Sequence, residues 1–330
     1  MIVTVTPNPS LDRTVTLATP LTRAAVHRVT SVTTEPGGKG VNVAHALSLA
    51  GVDVVTLLPA SDTDPMVAAL RDIGVPFRCV PVTAPVRTNI AITEIDGTTT
   101  KINEPGAKLD AAAVDALTRA VVDSAEHASW VVLSGSLPPG MPDSWYADIA
   151  ALLAPYPCRV AVDTSDRALS EVVDGLDRGA PDLIKPNAEE LAGVIGLSPQ
   201  ALEAAVAQGD PEPVVLAAKR LVERGIGAVL ATLGAAGAVL VSDESSWLAV
   251  PAPIEPRSTV GAGDSSLAGY LRADIAGAEP PQRLQMAVAY GSAAAALPGS
   301  ALPTPDQIDL EAVALTAIPS RSGPTTSAQQ

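Results

Sequence analysis

The sequence predicts an α/β fold: a mostly parallel central sheet flanked by helices, with a small β-sheet standing off it as a lid. Three observations predict it. Apolar runs of strand length alternate with helical periods through most of the chain, the pattern of βαβ units whose sheet is covered on both faces. Polar motifs sit directly after several of those strands, where open α/β sheets bind their ligands. Two segments, 13–34 and 88–103, have strand-like alternation and no helix, so neither can cover a face of the core alone.

The elements follow in order. Ile2–Thr6 is an apolar run of strand length, and the first lid segment comes after it. Val41–Ala50 has helical spacing, and so has Pro65–Ile73 between the strands Val54–Leu58 and Phe77–Val82. The second lid segment contains Asp96-Gly97, a hairpin-turn pair. Ala111–Ala125 is a helix before the strand Trp130–Ser134, and Asp143–Leu153 is a helix before Val160–Asp163. The strand Leu183–Lys185 runs into a helix at Ala188–Ile195, and the helix Val214–Arg224 precedes the strand Ala228–Thr232. Ala238–Val241 and Trp247–Val250 read as an antiparallel hairpin at one edge, and Ser265–Ile275 as a further helix. The expected domain covers 1–315. Residues 316–330 are expected to be a disordered tail, rich in Ser, Thr, Pro and Gln from Pro319 onward.

Composition narrows the function. With 330 residues, 47% of them hydrophobic, the chain can bury a large core. Only 2% are aromatic, which argues against stacking on single-stranded nucleic acid. A net charge of −15 repels nucleic acid and anionic membranes, so neither is an expected partner. A phosphorylated ligand would need a local basic site, for which Lys39, Arg87, Lys101 and Lys185 are candidates. Cys79 and Cys158 show no disulfide or metal spacing, and His27, His45 and His127 are scattered, so a zinc site is not expected. The chain opens on a strand, and no apolar stretch reaches membrane-spanning length; a soluble, cytoplasmic protein is the expectation.

The run Ser258-Thr-Val-Gly-Ala-Gly-Asp-Ser265 carries the most chemistry. Its glycines let backbone N–H groups converge at a helix start, where partial positive charge gathers, so it can cradle a growing anion. Asp264 beside it could take a proton from an attacking hydroxyl. Together these are what phosphoryl transfer to an alcohol requires. Read alone, the same residues also suit a loop with an Asp N-cap. Pro36-Gly-Gly-Lys-Gly-Val-Asn42 can set bare amides against sugar hydroxyls or phosphate, or can simply be a glycine-rich helix entry. It is not a Walker A loop, because Thr33 and Gly40 stand where Gly and Ser or Thr would be needed. GxGxxG and GxSxG patterns are absent. Asn187 and Glu190 share one helical face and could orient water around Mg²⁺; an N-cap with acids in its first turn uses the same residues. Asp12, Ser134-Gly-Ser-Leu-Pro138, Asp163, Lys185 and Thr232-Leu-Gly-Ala-Ala-Gly237 follow or end other strands.

In this order, the motifs Asn8-Pro-Ser-Leu-Asp12, Gly37-Gly-Lys-Gly-Val-Asn42, Arg87-Thr-Asn89, Ser134-Gly-Ser-Leu-Pro138, Lys185-Pro-Asn187 and Thr259-Val-Gly-Ala-Gly-Asp264 closely resemble the ribokinase-like (PfkB-type) carbohydrate kinases. The resemblance spans roughly 1–315 and implies the ribokinase-like fold and an ATP-dependent sugar-phosphate kinase. It implies Asp264 as catalytic base, with the amides of Gly261, Ala262 and Gly263 as anion hole. Asp12, Gly38, Asn42 and Arg87, with Lys39 nearby, would hold the sugar phosphate. Lys185, Asn187, Thr232, Gly234, Gly237 and Ser292 would line the ATP site, and Glu190 would act on Mg²⁺ through water. Ser258 and Val260 mark where a K⁺ ion would bind. A homodimer through the lid sheet is also implied. Lys39 points to fructose 1-phosphate as substrate, since the relatives acting on fructose 6-phosphate commonly carry Gly there; tagatose 6-phosphate and fructose 6-phosphate are the alternatives. A regulator that binds sugar phosphate without catalysis is a further alternative, disfavoured by the intact Asp264, glycines and Lys185.

Overall fold

A computed structural model describes residues 1–319 apart from 199, 201, 203, 204, 206 and 207. Its main sheet has ten strands among the described residues, in the order β14-β13-β12-β11-β10-β9-β8-β1-β4-β5. These are β1 Ile2–Val5, β4 Val54–Pro59, β5 Phe77–Val80, β8 Trp130–Ser134, β9 Arg159–Asp163, β10 Leu183–Ile184, β11 Ala228–Thr232, β12 Ala238–Ser242, β13 Ser246–Pro251 and β14 Val313–Ala317. From β5 to β11 every pairing is parallel, and the three pairings beyond β11 are antiparallel. The expected mostly parallel layout is therefore present.

Two helical layers cover the sheet. On one side pack α3 (Ala111–Ala125), α4 (Trp145–Leu153), α5 (Asp166–Asp174), α6 (Ala188–Ile195) and α7 (Glu212–Val222). On the other pack α1 (Lys39–Leu49), α2 (Pro65–Asp72), α8 (Ala262–Ile275) and α9 (Pro280–Ala295). The strands feed both layers by alternation. Val3 and Val5 enter the first core, and Ile2 the second; Val131 and Leu133 enter the first, and Trp130 and Val132 the second. Burial on both faces is why these strands read as unbroken apolar runs.

The lid is a separate four-stranded sheet, β3-β2-β6-β7, made of β2 Ser10–Leu17, β3 Val29–Gly37, β6 Arg87–Thr93 and β7 Thr99–Asn103. Two hairpins from distant parts of the chain meet where β2 pairs parallel with β6.

Several expectations are corrected. The first lid segment is not continuous strand, since 18–28 belong to neither β2 nor β3. The β12–β13 hairpin is not the edge of the sheet, because β14 pairs outside it. That strand runs to Ala317, so ordered structure passes the expected domain end at 315. Of the expected tail, 320–330 lie outside the described residues. Helices α5 and α9 have no counterpart in the sequence reading. The α9 run of Ala and Gly gives weak amphipathic contrast. Helix α8 starts at Ala262 and α1 at Lys39, both earlier than expected, so Asp264 and Lys39 sit inside first turns rather than in loops.

At the end of α8 remote from the Gly-Ala-Gly turn, Asp274 is 5% exposed and gathers three donors. Trp130 Nε1 donates at 2.8 Å, Arg283 at 2.8 Å, and Arg159 both donates to it and stacks 4.3 Å over the Trp130 ring. A carboxylate is unfavourable at the C-terminal end of a helix, and these partners offset it. The knot ties α8 and α9 to the starts of β8 and β9.

Candidate active site

The chain leaves β1 for α1 and β4 on one side and reaches β8 on the other, so strand order reverses at β1. A crevice opens at such a reversal, beyond the carboxyl ends of the strands. The first turns of α1 and α8 enter it, and the lid stands beside it.

Gly261 is the N-cap of α8 with φ +75°, a conformation that strains any residue with a Cβ, and no side chain caps this helix end. The first-turn amides therefore lack intrahelical acceptors and face outward with the positive end of the helix dipole. Asp264 lies in that turn and is 7% exposed. Asn42 Nδ2, one turn into α1, donates to its Oδ2 at 2.8 Å. Burial, then the nearby Asp163 carboxylate, push the Asp264 pKa up from 3.8 to about 6; Asn42, Lys39 and Lys185 pull the other way. A carboxyl with that pKa is ionised at neutral pH yet basic enough to accept a proton in reaction.

Asp163, at the end of β9, is fully buried between two lysines. Lys39 Nζ is 2.8 Å from its Oδ1 and Lys185 Nζ 3.1 Å from its Oδ2. Burial alone would raise the Asp163 carboxyl, but the two ammonium groups more than offset this and hold it below its ordinary value. Burial works against the Lys39 charge too, and Asp163, with Asp264 and Glu190 beyond it, raises that ammonium above its ordinary range. A Cβ added at Gly263 would stand 3.3 Å from Lys185 Nζ, so this cation lies against the anion-hole turn. One carboxylate thus keeps two cations charged beside a candidate base.

The nucleotide-side residues lie at the ends of β10 and β11. Lys185 and Pro186 lead from β10 into α6, and Asn187 bridges Thr232 across the sheet. Gly234 and Gly237 bound a short 3₁₀ turn after β11. Asn187 and Glu190 form a reciprocal capping box, each side chain 2.8 Å from the other's backbone N–H. The capping reading of that pair is therefore realised. Glu190 still acts electrostatically on Lys39, which places its charge within reach of the lysine pair. Among the described residues no cluster of three or more His, Cys, Asp or Glu forms a metal cage. That donor set fits Mg²⁺ arriving on nucleotide phosphates and keeping most of its water. Ser292 follows Gly291 on α9, where a Cβ would lie 3.3 Å from the Ala262 carbonyl oxygen.

A cavity of about 440 Å³ lies between the lid and the loop before α8. Asp12, Asn89 and Asn103 line it from neighbouring strands, and Ser258 and Val260 line the opposite side. Asp12 is held by Ser10 at 2.7 Å and Asn89 at 3.0 Å. Asn89 Oδ1 is buried without a partner, an acceptor open to a ligand hydroxyl. Ser258 Oγ accepts the Val260 N–H at 3.2 Å, which folds that loop on itself. Arg13, Lys101 and Arg257 also line the cavity, and among the described residues none of them pairs with an acid.

Two expected substrate residues stand elsewhere. Arg87 donates to the Glu104 carbonyl at 3.0 Å and lines a smaller recess beside Asn8, not the large cavity. Its hydrogen bond holds it back against the turn that follows β7. Lys39 pairs with Asp163 on the nucleotide side instead of lining the lid cavity. Gly38, by contrast, caps α1 with φ +109°, where a Cβ would stand 2.7 Å from Thr6 Cγ2. Sequence reasoning gave Asp163, Asn89, Arg13 and Arg257 no role. Asp163 had a signal: two lysines in apolar surroundings require a buried counter-charge.

Compared with known proteins, residues 6–307 match the model of the pfkB family carbohydrate kinases. The chain is 36% identical over 312 residues to a 1-phosphofructokinase of Rhodobacter capsulatus, covering 93% of this chain and 94% of that one. It is 31% identical over 305 residues to the ATP-dependent 6-phosphofructokinase isozyme 2 of Escherichia coli, covering 91% and 94%. The crystal structure of Escherichia coli phosphofructokinase-2 in complex with potassium superposes with a TM-score of 0.84 at 30% identity, covering 93% of this chain and 96% of that one.

Proposed function

Because the chain belongs to the pfkB family of carbohydrate kinases, we propose that it transfers the γ-phosphoryl group of ATP to the free primary hydroxyl of fructose 1-phosphate, giving fructose 1,6-bisphosphate. The observation that carries this reading is the meeting of three things at one point: the buried Asp264, the uncapped first turn of α8, and the lysine pair held by Asp163.

Asp264 accepts the hydroxyl proton as the sugar oxygen attacks phosphorus in line. Asn42 fixes the orientation of that carboxylate. The amides of Gly261, Ala262 and Gly263 stabilise the charge that grows on the transferring group, and Lys39 and Lys185 neutralise the rest. Mg²⁺ carried by the nucleotide would supply further charge neutralisation, with Glu190 holding one of its waters. Asn187, Thr232, Gly234, Gly237 and Ser292 would receive the rest of the nucleotide. A potassium ion near Ser258 and Val260 is supported by the potassium complex of the relative.

A phosphorylated sugar is supported by the lid cavity. Arg13, Lys101 and Arg257 put unpaired cations there in a chain of net charge −15. Asp12 and Asn89 would take the sugar hydroxyls. Exposed Val29 and Val32 on β3 and Ile102 on β7 support pairing of two copies through the lid.

Fructose 1-phosphate and fructose 6-phosphate yield the same bisphosphate, and discrimination rests on one or two hydrogen bonds of about 1–3 kcal/mol. The test is coupled ADP release with fructose 1-phosphate, fructose 6-phosphate and tagatose 6-phosphate. At least a tenfold higher kcat/KM for fructose 1-phosphate, about 1.4 kcal/mol, supports the proposal. A preference for either 6-phosphate overturns the substrate and leaves the Asp264 chemistry standing.

A further inference from the structure

Glu35 stands in the lid at the end of a polar row that crosses all four strands. Asp12 of β2 is in register with Glu35 of β3 and with Asn89 of β6, and Asn89 with Asn103 of β7. Residues paired this way share one face of a sheet. Three members of the row line the cavity; Glu35 instead accepts a hydrogen bond from Ser300 Oγ, on the loop that follows α9. Among the described residues no lysine or arginine pairs with Glu35, and its nearest cross-strand neighbour, Asp12, carries the same charge. The hydroxyl therefore decides where this carboxylate goes.

The loop that carries Ser300 has a second contact. Two residues on, Leu302 packs against the core layer that holds α8, and a Cβ at Gly261 would stand 3.3 Å from its Cδ2. The same loop lines the cavity through Gly299 and Ser300, and the Ala295 carbonyl at its start takes the N–H groups of Arg257 and Ser258. One short segment thus touches the lid on one side and the anion-hole turn on the other.

We propose that Glu35 and Ser300 are positioning residues: their hydrogen bond docks the lid onto this loop and, through Leu302, steadies the Gly261 turn while the site is closed. The inference rests on the kinase reading above. A docked lid keeps water from the γ-phosphoryl group. With the latch lost, water replaces the sugar as nucleophile: its oxygen bonds to phosphorus, the bond to the ADP oxygen breaks, and Asp264 takes the water proton.

The test uses the full chain with Glu35→Ala, Ser300→Ala, the double variant, and the conservative Glu35→Gln and Ser300→Thr. It measures kcat, both KM values, and ADP formed per sugar phosphorylated. Each alanine variant should lower kcat about tenfold, leave the KM for ATP within about twofold, and raise several-fold the share of ATP lost to water. The double variant should be no worse than either single one, because the two residues act as a unit. Gln and Thr keep an acceptor and a donor and should restore the wild-type ratio to within about twofold. Additive losses, an unchanged ratio of hydrolysis to transfer, or conservative variants as poor as alanine would each overturn the proposal. Turnover of fructose 1-phosphate by the unmodified enzyme tests the substrate reading separately; the latch is read on whichever sugar phosphate that enzyme turns over.

Discussion

Replacing Asp264 by Asn removes the candidate base and, by the same change, a source of instability. A carboxyl raised from 3.8 to about 6 binds its proton more tightly in the folded chain than in the unfolded one. The sign follows. Between those two values the folded state holds more protons, so stability falls as pH rises from about 4 through about 6, and the full cost is present at neutral pH. At about 1.4 kcal/mol for each tenfold change in proton affinity, that cost is roughly 3 kcal/mol. An amide in its place can still accept from Asn42 and carries no charge to bury. The Asp264→Asn variant should therefore unfold in urea at pH 7.5 with a free energy higher by up to about 3 kcal/mol, and the gain should shrink toward pH 4. Its kcat should fall at least ~100-fold, the usual contribution of a positioned base. The unmodified enzyme should lose kcat/KM below about pH 6, tenfold for each pH unit. Urea titrations at several pH values, paired with coupled ADP release, measure both effects. Near-normal turnover by the variant would remove Asp264 from its role. A variant less stable at pH 7.5, or one whose advantage grows toward acid, would refute the claim that burial of charge sets this carboxyl.

The other predictions probe the surroundings. Asp163→Asn strips two lysines of their shared counter-charge and should destabilise the fold by about 3 kcal/mol in chemical denaturation, with kcat lowered at least tenfold. Arg13→Ala and Arg257→Ala should each raise the KM for the sugar phosphate about fivefold and leave the KM for ATP unchanged, as steady-state kinetics will read. Asp274→Asn should cost about 3 kcal/mol of stability by loosening the knot with Arg159 and Arg283. Its kcat at 25 °C should stay within about twofold, because the knot lies at the far end of α8.

Much of the fold was legible because both sheet faces are covered, which makes each strand an unbroken apolar run. The elements that escaped have physical reasons. Helix α9 buries small residues, whose pattern is faint, and β14 alternates buried and exposed positions in a segment otherwise read as tail. In the site, motifs at strand and helix ends fell where expected, since backbone geometry places Gly38, Gly261 and Asp264 directly. Side-chain pairing was harder. Lys39 and Arg87 could be read as cations, but not that Lys39 turns to Asp163 and Arg87 to the Glu104 carbonyl, since those partners lie far off in sequence or on another strand's end.

The lid owes its unity to a single seam, the parallel pairing of β2 with β6, and α1, β4, α2 and β5 lie between its two hairpins in the chain. Closing so wide a loop carries an entropy cost that a local hairpin avoids, so this seam can zip only after half the main sheet has formed. The three tryptophans, Trp130, Trp145 and Trp247, all belong to the body of the molecule. During refolding their emission reports the body alone, and the return of catalysis is the later clock. A population can recover its full native fluorescence while its lids are still in two pieces.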